Sequence, residues 1–229
     1  MVIMVRDLPA DERPREKLLQ YGAPSLSNAE LLAILIHTGT REASAIHIAE
    51  QVLAHYKDRG LSELSYMAPQ ELTQVKGVGL AKAATIVAAV ELGRRLSMKA
   101  AEKIETVCGP EDAARYAMPR LRFEQREHFC VLLLDMKHHI MGMPDVSVGS
   151  LSASIVHPRE VYRIAIQRAA AAIIAVHNHP SGDPSPSRED IAITRRLAEA
   201  GKLLDIPMLD HIIVGGENFI SLKEQGMVQ

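Results

Sequence analysis

The chain has 229 residues, 47% hydrophobic and 24% charged, the balance of a globular protein with material for one or two domains. Its net charge is −2, with 12 basic against 11 acidic residues in 1–100 and 14 against 17 beyond, so no global basic field draws nucleic acid and any such contact must be local. Two cysteines, Cys108 and Cys130, build no disulfide framework, no apolar run approaches the roughly 20 residues of a membrane span, and the charges from Arg6 to Glu12 interrupt any leader, so a cytoplasmic protein without membrane contact is expected.

Residues 1–100 predict an all-α domain. Pro14 opens a helix through Tyr21 that Gly22 ends. Ser27-Asn28-Ala29-Glu30 is a capping box ahead of Leu31, Leu32, Ile34 and Leu35, with Gly39 as the stop. Glu42 to Lys57 has Ala45, Ile46, Ala49, Val52 and Leu53 at helical spacing. Ser62–Leu64 and Pro69–Val75 read as short helical turns. Val75-Lys76-Gly77-Val78-Gly79-Leu80-Ala81-Lys82 then places a glycine turn before a long helix over Leu80–Leu96. Glycines there permit close approach, and the N–H groups of a helix start face an anion such as a DNA phosphate, with Lys76 and Lys82 adding charge. A turn that simply packs two helices explains the same residues.

Lys99–Gly109 is the expected linker, and Glu111–Tyr116 a short helix. Phe129–Asp135 reads as a buried strand, turning at Met136–His139 and returning over His139–Met143, with a further strand at Val146 and Val148. His157-Pro158 opens a helix through Arg168. The run Ala171–His177 is a strand, Ser187 starts a helix that Gly201 closes, and Met208–Val214 and Phe219–Leu222 are the last strands. The second domain, 107–229, is therefore an α/β sandwich in the order β-β-β-α-β-α-β-β.

The chemistry concentrates between His177 and Asp190. If the buried strand continues through His179, its period of two sends the His177 and His179 imidazoles to one side. Pro180 has no N–H and stops the ladder, and three prolines in the seven residues Pro180–Pro186 stiffen the loop. Ser187 is the natural N-cap of the next helix, and Asp190 falls in its first turn, where its carboxylate can face the two histidines. Two histidines and one carboxylate with an open fourth position are the ligand set of a catalytic zinc. Ser187-x-x-Asp190 also has the form of a capping box, which accounts for both residues without a metal.

His177-x-His179-Pro180, six residues, Ser187, two residues, Asp190 resembles the JAMM (MPN-type) metalloprotease motif. The string His177-Asn178-His179-Pro180-Ser181-Gly182-Asp183-Pro184 is similar to its bacterial RadC-type branch. The resemblance implies an α/β sandwich with cytidine-deaminase-like layers behind a helix-hairpin-helix domain. It implies one Zn2+ per chain held by His177, His179 and Asp190. A Glu at the start of an early strand serves as the acid/base group, which maps to Glu127 in Glu127-His128-Phe129-Cys130. Glu160, in the first turn of its helix, is the competitor. Ser187 is a hydrogen-bond donor toward an oxyanion unless its hydroxyl caps the helix. His138, His139 and His157 read as surface residues, and His211 as a structural or supporting histidine.

Three functions compete: a zinc-dependent peptidase or isopeptidase, a DNA-associated protein whose metal domain is a scaffold, and a metal-dependent nuclease. Nucleases favour carboxylate-rich two-metal sites, so the ligand set points to the first. A weak DNA contact through Lys76, Gly77, Gly79 and Lys82 is expected beside it.

Overall fold

The computed structural model describes residues 4–55, 60–101, 104–149 and 156–228. The protein is mixed α/β and divides into two compact units, Met1–Arg95 and Leu96–Gln229.

The first unit is helical: α1 (Pro14–Tyr21), α2 (Asn28–Ile36), α3 (Ala45–His55), α4 (Pro69–Leu72) and the start of α5 (Leu80–Ala101). Ser27 Oγ accepts from Glu30 N–H at 3.2 Å while Ser27 N–H donates to Glu30 Oε2 at 2.7 Å, the reciprocal cap its spacing predicts. Ile36, Ile48, Val52, Leu72 and Ile86 form the buried centre. Several boundaries differ from expectation. Helix α2 ends at Ile36, with His37 at φ 68, not at Gly39. Gly39 is needed for space instead: a Cβ there would lie 2.3 Å from Ala43 O. Helix α3 starts at Ala45 rather than Glu42, because the Thr40 hydroxyl accepts from Glu42 and Ala43 N–H and holds a turn. Its expected end at Lys57 lies outside the described residues. Helix α5 runs past Leu96 to Ala101, since Ser97–Ala101 contains no breaker; the expected linker begins as helix, and the division between units falls inside α5.

The second unit holds α6 (Pro110–Leu121), β1 (His128–Leu134), β2 (Ile140–Gly142), β3 (Asp145–Val148), α7 (Pro158–Gln167), β4 (Ala172–Asn178), α8 (Arg188–Leu204), β5 (Met208–Gly215) and β6 (Asn218–Ser221). The sheet order is β2-β1-β4-β5-β6, with β3 also pairing β1. Strands β1 and β4 are antiparallel, and β4 and β5 are parallel across the α8 crossover. Both faces of the sheet are covered, which is why β1 and β4 are apolar without alternation. Phe129, Val131, Leu133, Ile173, Ala175 and Ile213 pack with α7 and α8. Cys130, Leu132, Leu134, Ile174, Val176 and Val214 pack with α6. Side-chain parity therefore separates the two faces, and odd residues of β4, and of β5 beyond the register shift after Met208, look toward α8. Gly201 does not end α8, which continues to Leu204 and closes on Asp205 at φ 57. A Cβ at Gly201 would sit 2.4 Å from Tyr162 Oη, so this glycine serves the close packing of α8 on α7. Among the described residues no helix is long and apolar enough to cross a membrane.

Candidate metal centre

His177 lies on the α8 face of β4 by parity. His179 follows it because its N–H donates to Val214 O at 2.8 Å, extending the pairing with β5 beyond the end of β4. The loop then turns at Gly182, φ +82, and settles on Gly215, where an added Cβ would meet Pro184 N at 2.5 Å. Only glycine at 215 lets the stiff loop lie so close. Ser187 caps α8, its Oγ accepting Asp190 N–H at 3.1 Å. Both Ser187 N–H and Ser187 Oγ–H donate to Asp190 Oδ2, at 2.7 and 2.6 Å.

These constraints bring the three expected residues together. His177 Nε2 is 3.0 Å from His179 Nε2 and 3.3 Å from Asp190 Oδ1, and His179 Nε2 is 3.4 Å from Asp190 Oδ2. A tetrahedral zinc with bonds near 2.0–2.1 Å has ligand–ligand edges of about 3.3–3.4 Å, so the spacing suits such an ion. The capping box and the cluster are not alternatives: the helix cap is what turns Asp190 toward the histidines.

The outer hydrogen bonds fix where the lone pairs point. Thr194 Oγ1 lies 2.5 Å from Asp190 O, a pure acceptor, which takes the single hydroxyl proton. Thr194 Oγ1 therefore accepts from His211 Nδ1–H at 2.6 Å. The bare His211 Nε2 then accepts from His177 Nδ1–H at 2.8 Å. That leaves His177 Nε2 without a proton and facing Asp190. His179 Nδ1–H likewise donates to Asp183 O at 2.8 Å, turning its Nε2 inward. Phe129 stacks on His177 with centroids 5.9 Å apart and meets His211 edge-on, closing the apolar side.

Electrostatics agree with that wiring. Burial lowers the His177 pKa against the pull of Asp190, and burial lowers that of His211 well below the ordinary value. The hydrogen bond to Asp190 raises His179 despite partial burial. Burial opposes charge on Asp190, but the two histidines and Ser187 outweigh it and hold the carboxyl well below its usual range. Of the two cluster histidines, His179 is thus the one whose protonated form Asp190 favours.

Glu127 lines an open cavity of about 870 Å³ together with His179, Ser187 and Asp190. Its charge reaches both histidines as a small upward pull, too weak to offset the lowering of His177 by burial. Glu160 is absent from that lining and is held by Arg159 and Arg163, each at 3.1 Å, which lower its pKa. The Ser187 hydroxyl proton points at Asp190 rather than into the cavity, so this geometry assigns it the orientation of Asp190 and not an oxyanion. His139 pairs with Asp135, His157 caps α7, and His138 sits in a turn at φ 60, all away from the cluster.

The hairpin residues are arranged differently. Lys76 is paired with Glu42, and Lys82 donates to Thr38 O at 2.6 Å and Gly77 O at 2.9 Å. Gly77, at φ +96, abuts Ile48, while a Cβ at Gly79 would meet nothing within 4 Å. Thr194 and Asn178 were not singled out from the sequence. The four-residue step from Asp190 to Thr194 on one helix face is the signal that marks Thr194.

Residues 107–227 match the RadC-like JAB domain, and residues 5–84 match the UPF0758 N-terminal domain. The chain belongs to the RadC-like UPF0758 family. A UPF0758 protein of Alkaliphilus metalliredigens (strain QYMF) is 53% identical over 98% of this chain and 96% of its own length. One from Geobacillus sp. (strain WCH70) is 50% identical over the whole of both chains, and one from Caldanaerobacter subterraneus is 49% identical over 98% of this chain and 95% of its own. The JAB domain of this RadC-like chain contains the whole His177, His179, Asp190 cluster and Glu127.

Proposed function

We propose that this RadC-like protein is a zinc-dependent hydrolase of the metallopeptidase or isopeptidase type. One Zn2+ is held by His177 Nε2, His179 Nε2 and Asp190. The observation that carries this reading is the convergence of two imidazole lone pairs and a carboxylate, with every outward ring N–H already bonded. When bound, zinc supplies Lewis acidity and lowers the pKa of a water at its open position toward ~7. Glu127, on the same cavity, accepts a proton at its carboxylate and returns it to the leaving amine. Ser187 and Thr194 hold Asp190 and the His211 relay in place. The substrate is a peptide or protein whose scissile amide enters the cavity between Glu127 and His179.

Two measurements test this together. Purified protein should contain close to one equivalent of zinc by elemental analysis, and a fluorogenic peptide library should yield a cleaved sequence. Zinc that survives His177→Ala with His179→Ala would remove the ligand assignment. A fully zinc-loaded protein that cleaves no peptide would remove the hydrolase.

A DNA contact through Lys76, Gly77, Gly79 and Lys82 has one supporting observation, the open space around Gly79. Because both lysines already have partners, the contact is weak and nonspecific, and an accessory to the hydrolase rather than its replacement.

A further inference from the structure

Asn178 stands between the two cluster histidines, yet by parity its side chain looks to the opposite face of the sheet, where it is 2% exposed. There it makes three hydrogen bonds to one short segment. His128 N–H donates to Asn178 Oδ1 at 2.8 Å, and Asn178 Nδ2 donates to Arg126 O at 3.0 Å and Glu124 O at 3.2 Å. The amide orientation is fixed by its partners, since a flipped amide would oppose one N–H with NH2 and two carbonyls with oxygen.

We propose that Asn178 is the positioning residue for Glu127, holding residues 124–128 against the end of β4 and so setting the reach of the Glu127 carboxylate to the cluster. The inference rests on the proton-transfer role proposed for Glu127. The β1–β4 ladder ends at the pair Phe129 and His177. Beyond it β4 has one residue left, and Pro180 offers no donor. The Asn178 amide supplies the acceptor and donors that further ladder pairs would have given. Its bonds fall on Arg126 and His128, the two residues flanking Glu127. The Glu127 carbonyl is tied on its other side by Gly149 N–H at 2.9 Å. The backbone at Glu127 is thereby fixed from two directions. One residue thus links the end of β4, which lies between His177 and His179, to the segment that carries the proton acceptor, and so couples the placement of one to the other.

A satisfied buried amide serving stability alone would look the same in a static structure, so hydrogen exchange, which reports the clamp, is joined to readouts that stability does not move: zinc content, the split between kcat and KM, and the double variant with Glu127→Gln. In the full-length protein, His128 N–H should exchange slowly in the wild type and fast in Asn178→Ala, read by hydrogen exchange without zinc or substrate. Zinc content of Asn178→Ala should stay near one equivalent. On the peptide cleaved fastest in the library screen, kcat should fall roughly 10²-fold with KM little changed, the scale of a small misplacement of a reacting group. Added to Glu127→Gln, Asn178→Ala should cost nothing more, because its effect passes through Glu127. If Asn178→Ala does not fold, Asn178→Asp keeps the volume and the acceptor for His128 while facing Arg126 O and Glu124 O with an oxygen, and carries the same comparison. Equal His128 exchange in wild type and variant, an undiminished loss in the Glu127→Gln background, or zinc lost in step with activity would each overturn the proposal. Failure of the Glu127 role itself is visible separately, as full activity of Glu127→Gln. If no peptide is cleaved, the hydrolase reading falls and His128 exchange alone decides the clamp.

Discussion

The hairpin at 75–82 and the cluster at 177–190 both carry polar residues at suggestive spacings, but they treat them in opposite ways. At the hairpin, Lys76 and Glu42 are exposed and neutralise each other, and Lys82 satisfies backbone carbonyls. In the cluster, His177 is fully buried and Asp190 nearly so, and His177 Nε2 faces Asp190 Oδ1 while Ser187 satisfies only Asp190 Oδ2. Polar groups are costly to bury unless paired, so the buried cluster is where the proposed zinc would lower the free energy most, whereas exposed ion pairs are worth little. The difference lies in burial, not in how many polar groups there are.

The largest effect should come from removing a cluster residue. His179→Ala should lose most of its zinc and all detectable hydrolysis while the rest of the sheet stays folded, read by elemental analysis and circular dichroism. Retention of tight zinc would make the buried site as inert as the hairpin.

Glu127→Gln should retain zinc and melting temperature yet lower kcat by roughly 10²–10⁴-fold, because the amide keeps its shape but cannot accept a proton. Glu160→Gln should leave activity intact, since its partners Arg159 and Arg163 lie outside the cavity. Steady-state kinetics of both variants decide between the two carboxylates, and a dead Glu160→Gln reverses the assignment.

The cluster was legible in the sequence because each constraint on it is local: period two places His177 with His179, and the cap spacing places Asp190. The relay through His211 was not. It depends on β4 lying parallel to β5, with Ala175 opposite His211, a pairing set by the α8 crossover. Asn178 was invisible for the same reason, its partners lying 50 to 54 residues away. The internal partners of the hairpin lysines were hidden in the same way, since Glu42 and Thr38 stand 34 and 44 residues from them. Gly201 read as a helix stop because a glycine that ends a helix and one that admits Tyr162 look identical in one dimension.

Acidification should separate the two regions further. The folded pKa values of His177 and His211 lie below the ordinary 6.5, so the stability of their neutral forms is complete above that pH and is lost as pH falls toward the folded values. His179, raised by Asp190, opposes this by favouring the acid side, and Asp190 itself gives way only well below its ordinary 3.8. With two lowered histidines against one raised, the melting temperature of zinc-free protein should drop between pH 7 and pH 5. Zinc should be released over the same range, because binding must displace protons. A melting temperature that rises instead would mean His179 dominates.

The smallest effects belong to the hairpin, and they distinguish packing from phosphate contact. Gly77→Ala places a Cβ 2.8 Å from Ile48 Cδ1 at a φ of +96, so it should cost about 1–3 kcal/mol in denaturant unfolding. Gly79→Ala meets open space and trades one helix N-cap for a poorer one, roughly half a kcal/mol. If the turn also seats a phosphate, duplex DNA should bind the full-length protein at low salt, and Gly79→Asp should abolish that binding without unfolding it. The salt slope should be shallow, about −0.9 for each phosphate met, and no more than two or three phosphates are in reach of one turn. A slope several times steeper would place the DNA elsewhere on the protein. No salt-sensitive binding at all would leave Gly77 as a turn residue that packs against Ile48, and Gly79 as a helix start and nothing more.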